Sequence, residues 1–98
     1  MKTYIAGPMS SLPDLNFPAF HTAAEKLRTA GLEVVNPAEI NIDQSMSWSE
    51  CMRQDIIALC GCDTILMLRG WERSTGALLE HHIAVRLGMA VMFEEVVV

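Results

Sequence analysis

Residues 64–68 read Thr-Ile-Leu-Met-Leu, a continuous apolar run with one polar residue at its start. A short run without alternation is the pattern of a strand covered on both faces. Such a strand needs helices above and below it, and the flanking sequence should supply them. Upstream, Trp48, Met52, Ile56 and Leu59 recur at helical spacing. Ser47 or Ser49 can cap that helix, and Gly61 can end it. Downstream, the polar stretch 69–74 (RGWERS) leads into a helix from Ser74 or Thr75 to about Leu87. Gly88 stops it, and Ala90–Phe93 reads as a further strand.

The N-terminal half repeats the alternation. Lys2–Ala6 (KTYIA) is a strand stopped by Gly7-Pro8. Asn16 is a plausible N-cap, with Pro18 in the first turn. Phe17, Phe20, Ala24, Leu27 and Ala30 then mark a helix that Gly31 ends. Leu32–Val35 is the second strand, closed by Asn36-Pro37. Residues 7–15 and 38–47 are connections without a clear period, and 94–98 (EEVVV) suit an edge strand or a docking tail.

Alternating strands and helices predict an α/β fold. The expectation is a single domain over 1–98, a flavodoxin- or Rossmann-like three-layer sandwich with a parallel sheet of four to five strands. Ligands of such sheets bind beyond the carboxyl ends of the strands. The loops 7–15, 36–47 and 69–75 should therefore converge on one cleft.

Composition narrows the partners. The chain has 98 residues, 51% of them hydrophobic, enough for one core. A net charge of −5 opposes binding to polymeric nucleic acid, which rests on phosphate neutralisation. No segment approaches the roughly 20 apolar residues of a membrane span. Three cysteines, Cys51, Cys60 and Cys62, form no disulfide framework, and reduced thiols in the cytoplasm are expected. Cys60, Cys62, His81 and His82 do not match zinc-site spacing, so no metal is expected. Without a Gly-x-Gly-x-x-Gly, a P-loop lysine or a flavin phosphate loop, no cofactor is expected either.

Two carboxylates stand out. Gly76, Glu80, Ala84 and Gly88 are spaced by four and line one stripe of the last helix. Leu79, Ile83 and Leu87 beside them are expected to face the core. Glu80 then sits among small and apolar residues, one turn in from the cleft. Burying a carboxylate costs several kcal/mol unless it is paired. The alternative is a Glu at the stripe's edge, reaching solvent or an Arg. Asp55 lies between Trp48, Met52 and Leu59 on one side and Cys51 and Ala58 on the other. A boundary Asp paired to Arg53 or solvent is the alternative there. Two carboxylates at one cleft suit glycosidic-bond chemistry. Tyr4 shares a strand face with Ala6, so its hydroxyl can look toward the cleft. Ser10 and Ser11 follow a strand and precede a helix, where phosphate is often held. Arg69 and Arg73 suit phosphate or are solvated loop charges.

Three stretches together resemble the nucleoside 2-deoxyribosyltransferase-like family: Tyr4-Ile5-Ala6-Gly7-Pro8-Met9, Asp55 within MRQDI, and Ser74–Glu80 (STGALLE). The family includes the transferases and the 2'-deoxynucleoside 5'-phosphate N-hydrolases. The small phage and bacterial members beginning with IAGPM look most similar. The resemblance implies that Glu80 is the nucleophile at the anomeric carbon, Asp55 the acid that assists departure of the base, and Tyr4 the group that orients Glu80. Gly7, Pro8, Met9 and Ser10 would wall the sugar and phosphate, with Ser74, Gly76 and Arg69 completing the substrate contacts. Ser74 matches a position held by Asp in the transferases and by Ser in the hydrolases, which points toward a 5'-phosphate. Against that, the loop after the first strand lacks the hydrolases' Gly-rich, Arg-containing stretch, and Pro8 removes one N–H donor. The resemblance further implies a small-molecule nucleoside or nucleotide partner and a homo-oligomer, with base cleavage or exchange through a glycosyl-Glu80 ester. A catalytically silent nucleotide-binding module, or a phage–host interaction module on the same fold, is the alternative.

Overall fold

A computed structural model describes residues 2–10, 12–40 and 45–94. Ser11 and the tail residues 95–98 lie outside the described residues. The elements are β1 (Lys2–Ala6), α1 (Phe17–Thr29), β2 (Glu33–Val35), α2 (Pro37–Ile40), α3 (Trp48–Cys60), β3 (Thr64–Met67), α4 (Thr75–Arg86) and β4 (Ala90–Phe93). The four strands are all parallel, in the order β2-β1-β3-β4. This is the expected α/β architecture, with four strands among the described residues.

The pleat of the two central strands sorts the core into two halves. Tyr4, Ala6, Ile65 and Met67 point to one face, where Leu59, Ala77 and Ala84 from α3 and α4 cover them. Ile5, Leu66 and Leu68 point to the other, under Phe20, Ala23 and Ala24 of α1. Period-two alternation thus makes three layers from one sheet. The chain leaves β1 toward β2 and returns to β3 on β1's other side, so the order reverses between β1 and β3. Such a switch point opens a crevice at the strands' carboxyl ends. Gly7 stands there, and a Cβ on it would lie 2.8 Å from Cβ of Leu68. Only glycine allows that approach.

Ser47 and Ser74 cap α3 and α4: their Oγ atoms accept from the N–H groups of Glu50 at 3.2 Å and Ala77 at 3.1 Å. Several expectations are corrected. Asn16 precedes α1, but it is left-handed at φ 59 and its side chain makes no cap bond. Its amide instead donates to the Pro8 carbonyl at 2.9 Å. Asp14, Leu15 and Asn16 form three consecutive left-handed residues, each costing about 1–2 kcal/mol. Part of the connection 38–47 is helical. Asn36 starts α2 by accepting from the Ala38 N–H at 3.0 Å, and residues 41–44 lie outside the described residues.

The largest correction concerns α4. It docks through Gly76, Ala77, Glu80 and Ala84. Leu79 and Leu87 are exposed, and Ile83 only packs against the margin of the core. Bulky Tyr4, Ile65 and Met67 already fill the sheet's surface, so the small-residue side of α4 fits closest. Trp48 is likewise more exposed than its place in α3's apolar series suggests. Cys60 is exposed, and Cys62 alone of that pair is buried. No described helix is long and apolar enough to cross a membrane.

Candidate active site

A cavity of about 370 Å³ opens at the switch point, within the usual range of roughly 300–1,000 Å³ for small-molecule sites. The loop after β1 supplies Gly7, Met9 and Ser10. The approach to α1 supplies Leu15, Phe17 and Phe20, with Leu15 turned inward by the left-handed turn. Helix α3 and the residues before it supply Met46, Trp48, Cys51, Met52 and Asp55. From α4 come Ser74, Gly76, Ala77 and Glu80.

Glu80 and Asp55 are both buried, at 5% and 6% exposure. The Tyr4 hydroxyl donates to Oε2 of Glu80, joining residues 76 positions apart in the chain. The strand face of Tyr4 and the docked stripe of Glu80 make that meeting possible. Burial pushes the Glu80 carboxyl up to about 8. The bond from Tyr4 opposes that rise, and the nearby charge of Asp55 adds to it. Burial first, then the charges of Glu80 and Asp55, hold the Tyr4 phenol well above its ordinary value. Tyr4 therefore stays a neutral donor throughout the physiological range. The arrangement couples two carboxyl groups at one cavity, one oriented by a phenol and holding its proton to an unusually high pH.

The structure thus brings together Tyr4, Asp55 and Glu80 with Gly7, Met9, Ser10, Ser74 and Gly76. Pro8 and Arg69 are not among the cavity's lining residues. The Pro8 carbonyl is engaged by Asn16, and Pro8 packs close to Gly70. Arg69 faces β4, where its backbone N–H donates to Oε1 of Glu94 at 2.9 Å and its guanidinium lies 3.6 Å from the same oxygen. Leu15, Met46, Trp48 and Met52 line the cavity beyond the residues that the sequence marks for the site. Leu15 enters through a backbone conformation that nothing in its side chain signals. Among the described residues, no group of three His, Cys, Asp or Glu gathers as a metal site. His81 instead stacks on Trp71, with ring centroids 4.5 Å apart.

The open parallel sheet has the nucleoside 2-deoxyribosyltransferase-like fold, as similar solved structures show. The 2-deoxyribosyltransferase of the psychrotolerant bacterium Bacillus psychrosaccharolyticus superposes with a TM-score of 0.76 at 20% identity, over 100% of this chain and 77% of its own. The 2-desoxiribosyltransferase of Leishmania mexicana gives 0.73 at 20% identity, over 94% of this chain. The match spans 62% of the Leishmania protein's length. No curated protein sequence matches the chain. The chain belongs to the family described as a domain of unknown function, DUF4406, whose model matches residues 1–93.

Proposed function

We propose that the protein cleaves or exchanges the N-glycosidic bond of a nucleoside, with Glu80 as nucleophile. The observation that carries this is the buried Glu80 carboxyl held by Tyr4 and facing Asp55 across one cavity. Two of the similar solved structures are of deoxyribosyltransferases, which supports the same chemistry here. In the first step Glu80 gives up its proton toward Asp55, and the carboxylate oxygen so formed bonds to C1' while the C1'–N bond breaks, its electron pair going to the base. The base takes a proton through Asp55 and leaves. Water or a second base then attacks C1', releasing the Glu80 carboxylate and returning the proton to the acid pair. Two displacements retain the anomeric configuration. Tyr4 fixes the attacking carboxylate and opposes the effect of its burial.

The ionisable groups of the described lining are two carboxyls and the Cys51 thiol. The wall is otherwise largely apolar, so a phosphate dianion would face carboxylates in a desolvated site. That favours an uncharged nucleoside over the 5'-phosphate suggested by Ser74. Exposed Leu78, Leu79, Val85 and Leu87 on the outer side of α4 suit a homo-oligomer contact. Light scattering on the wild type and on Leu79→Asp tests that part.

Chromatographic detection of free base, from a panel of nucleosides and 5'-monophosphates, tests the function. Base release is expected from nucleosides and is lost in Glu80→Gln. Adding a second base separates exchange from hydrolysis. Release undiminished in Glu80→Gln would overturn the mechanism, and no release from any substrate would favour a binding module.

A further inference from the structure

Trp48 lines the cavity, yet 52% of it is exposed. The first turn of α4 sets its position. The indole nitrogen lies 3.8 Å, and the Met52 sulfur 3.1 Å, from the point a Cβ on Gly76 would occupy. A side chain at position 76 would displace the sulfur and crowd the indole, so glycine lets both rest against α4. Trp48, Met52 and Asp55 stand at i, i+4 and i+7, one stripe of α3 that faces the cavity. At 1.5 Å per residue the stripe runs about 10.5 Å from the mouth to the acid. Glu80 lines the same cavity from α4.

We infer that this stripe is the face on which the substrate's base stacks, and that Trp48, as its outer half, makes the site prefer two-ring bases over one-ring bases. This rests on the nucleoside reading above. A planar base presents a π-face, and an indole and a thioether are well suited to pack against it. Asp55 meets the polar edge of the base at the inner end of the stripe. A one-ring base held there covers Met52. A two-ring base extends further and reaches the indole as well.

The chain has two tryptophans. Trp71 packs on His81 and Phe93 and is not among the lining residues. Trp71→Phe therefore leaves Trp48 as the sole indole reporter. Titrating that variant with adenine, adenosine, cytosine and cytidine should shift or quench its emission, purines acting at a concentration at least about tenfold lower. In the otherwise wild-type enzyme, Trp48→Ala should raise KM for purine nucleosides roughly 10- to 100-fold. The change for pyrimidine nucleosides should be smaller, kcat should move little, and Trp48→Phe should restore most of the loss. A merely structural role would alter both substrate classes alike. Equal half-saturation by purines and pyrimidines, or no response to either, overturns the inference. Purine quenching in a protein that releases no base leaves the stacking face standing and removes the enzymatic reading instead.

Discussion

Tyr4 and Ile5 are neighbours in β1 and lie on opposite faces of the sheet. Ile5 joins Phe20, Ala23 and Leu66 in a core half where the buried strand residues carry no charge, Thr3 and Thr64 being its uncharged polar members. Tyr4 enters the half formed with α3 and α4, where two carboxyl groups are also buried. Hydrophobic burial alone would favour an apolar residue at all three polar positions. Their placement beside the switch point separates the half that holds the candidate catalytic groups from the half that supplies only apolar lining to the cavity.

Substitutions sharpen or break that contrast. The largest effect is expected at Glu80. Glu80→Gln should lower base release by at least about a thousandfold while the protein stays folded. The same variant tests the acid's burial through pH. Folded Glu80 keeps its proton up to about 8, whereas an unfolded Glu releases it near 4.5. Between those values the folded state binds more protons, so stability falls as pH rises through the window. The decline has a limiting slope of about 1.4 kcal/mol per pH unit. Thermal melts of Glu80→Gln should lack that decline. Melts that track the wild type at every pH would place the carboxyl in solvent.

Next in size is Asp55→Asn, expected to lower kcat by about 10²- to 10⁴-fold, as for loss of a general acid. An intact kcat would remove Asp55 from the chemistry. On the opposite face, Leu66→Ala should cost about 2–5 kcal/mol in denaturant melts. The pH dependence of base release should not move, because Leu66 touches no part of the acid pair. Tyr4→Phe should do the reverse. It removes the bond that lowers the Glu80 value, so the fall of kcat/KM as the acid pair loses its proton, expected near pH 8 in the wild type, should move to higher pH. The smallest effects are expected at the caps. Ser47→Ala and Ser74→Ala should each cost about 1 kcal/mol, but only Ser74, which lines the cavity, should also change KM.

Much of this was legible from residues. The unbroken run at 64–68 pointed to a strand covered on both faces, and strand alternation put Tyr4 on the face of Ala6, toward the cleft; the pairing of Tyr4 with Glu80 came only with the family resemblance. Ser74 and the four-residue spacing through Glu80 marked where that helix begins and which side carries the acid. The docking of α4 was not legible. Its apolar residues lie around more than one side, and burial is decided by the bulk of Tyr4, Ile65 and Met67 beneath it. Asn36-Pro37 carried the cap and first-turn signals of α2, yet they also read as a strand's end. The left-handed run at Asp14–Asn16 had no local signature, since leucine seldom adopts that conformation. Arg69 looked like a ligand contact because it follows a central strand, and only the position of β4 and Glu94 shows what it meets.

The small residues of α4 act as a spacer of fixed thickness. With alanine at 77 and 84, the helix axis rests close enough to the sheet for a glutamate side chain to reach a phenol on β1. A leucine at Ala84 would lift the helix and withdraw the carboxyl from Tyr4 without changing any group that handles substrate. The reach of Glu80 is therefore written in the residues that have almost no side chain, and the site can be detuned from beneath its floor.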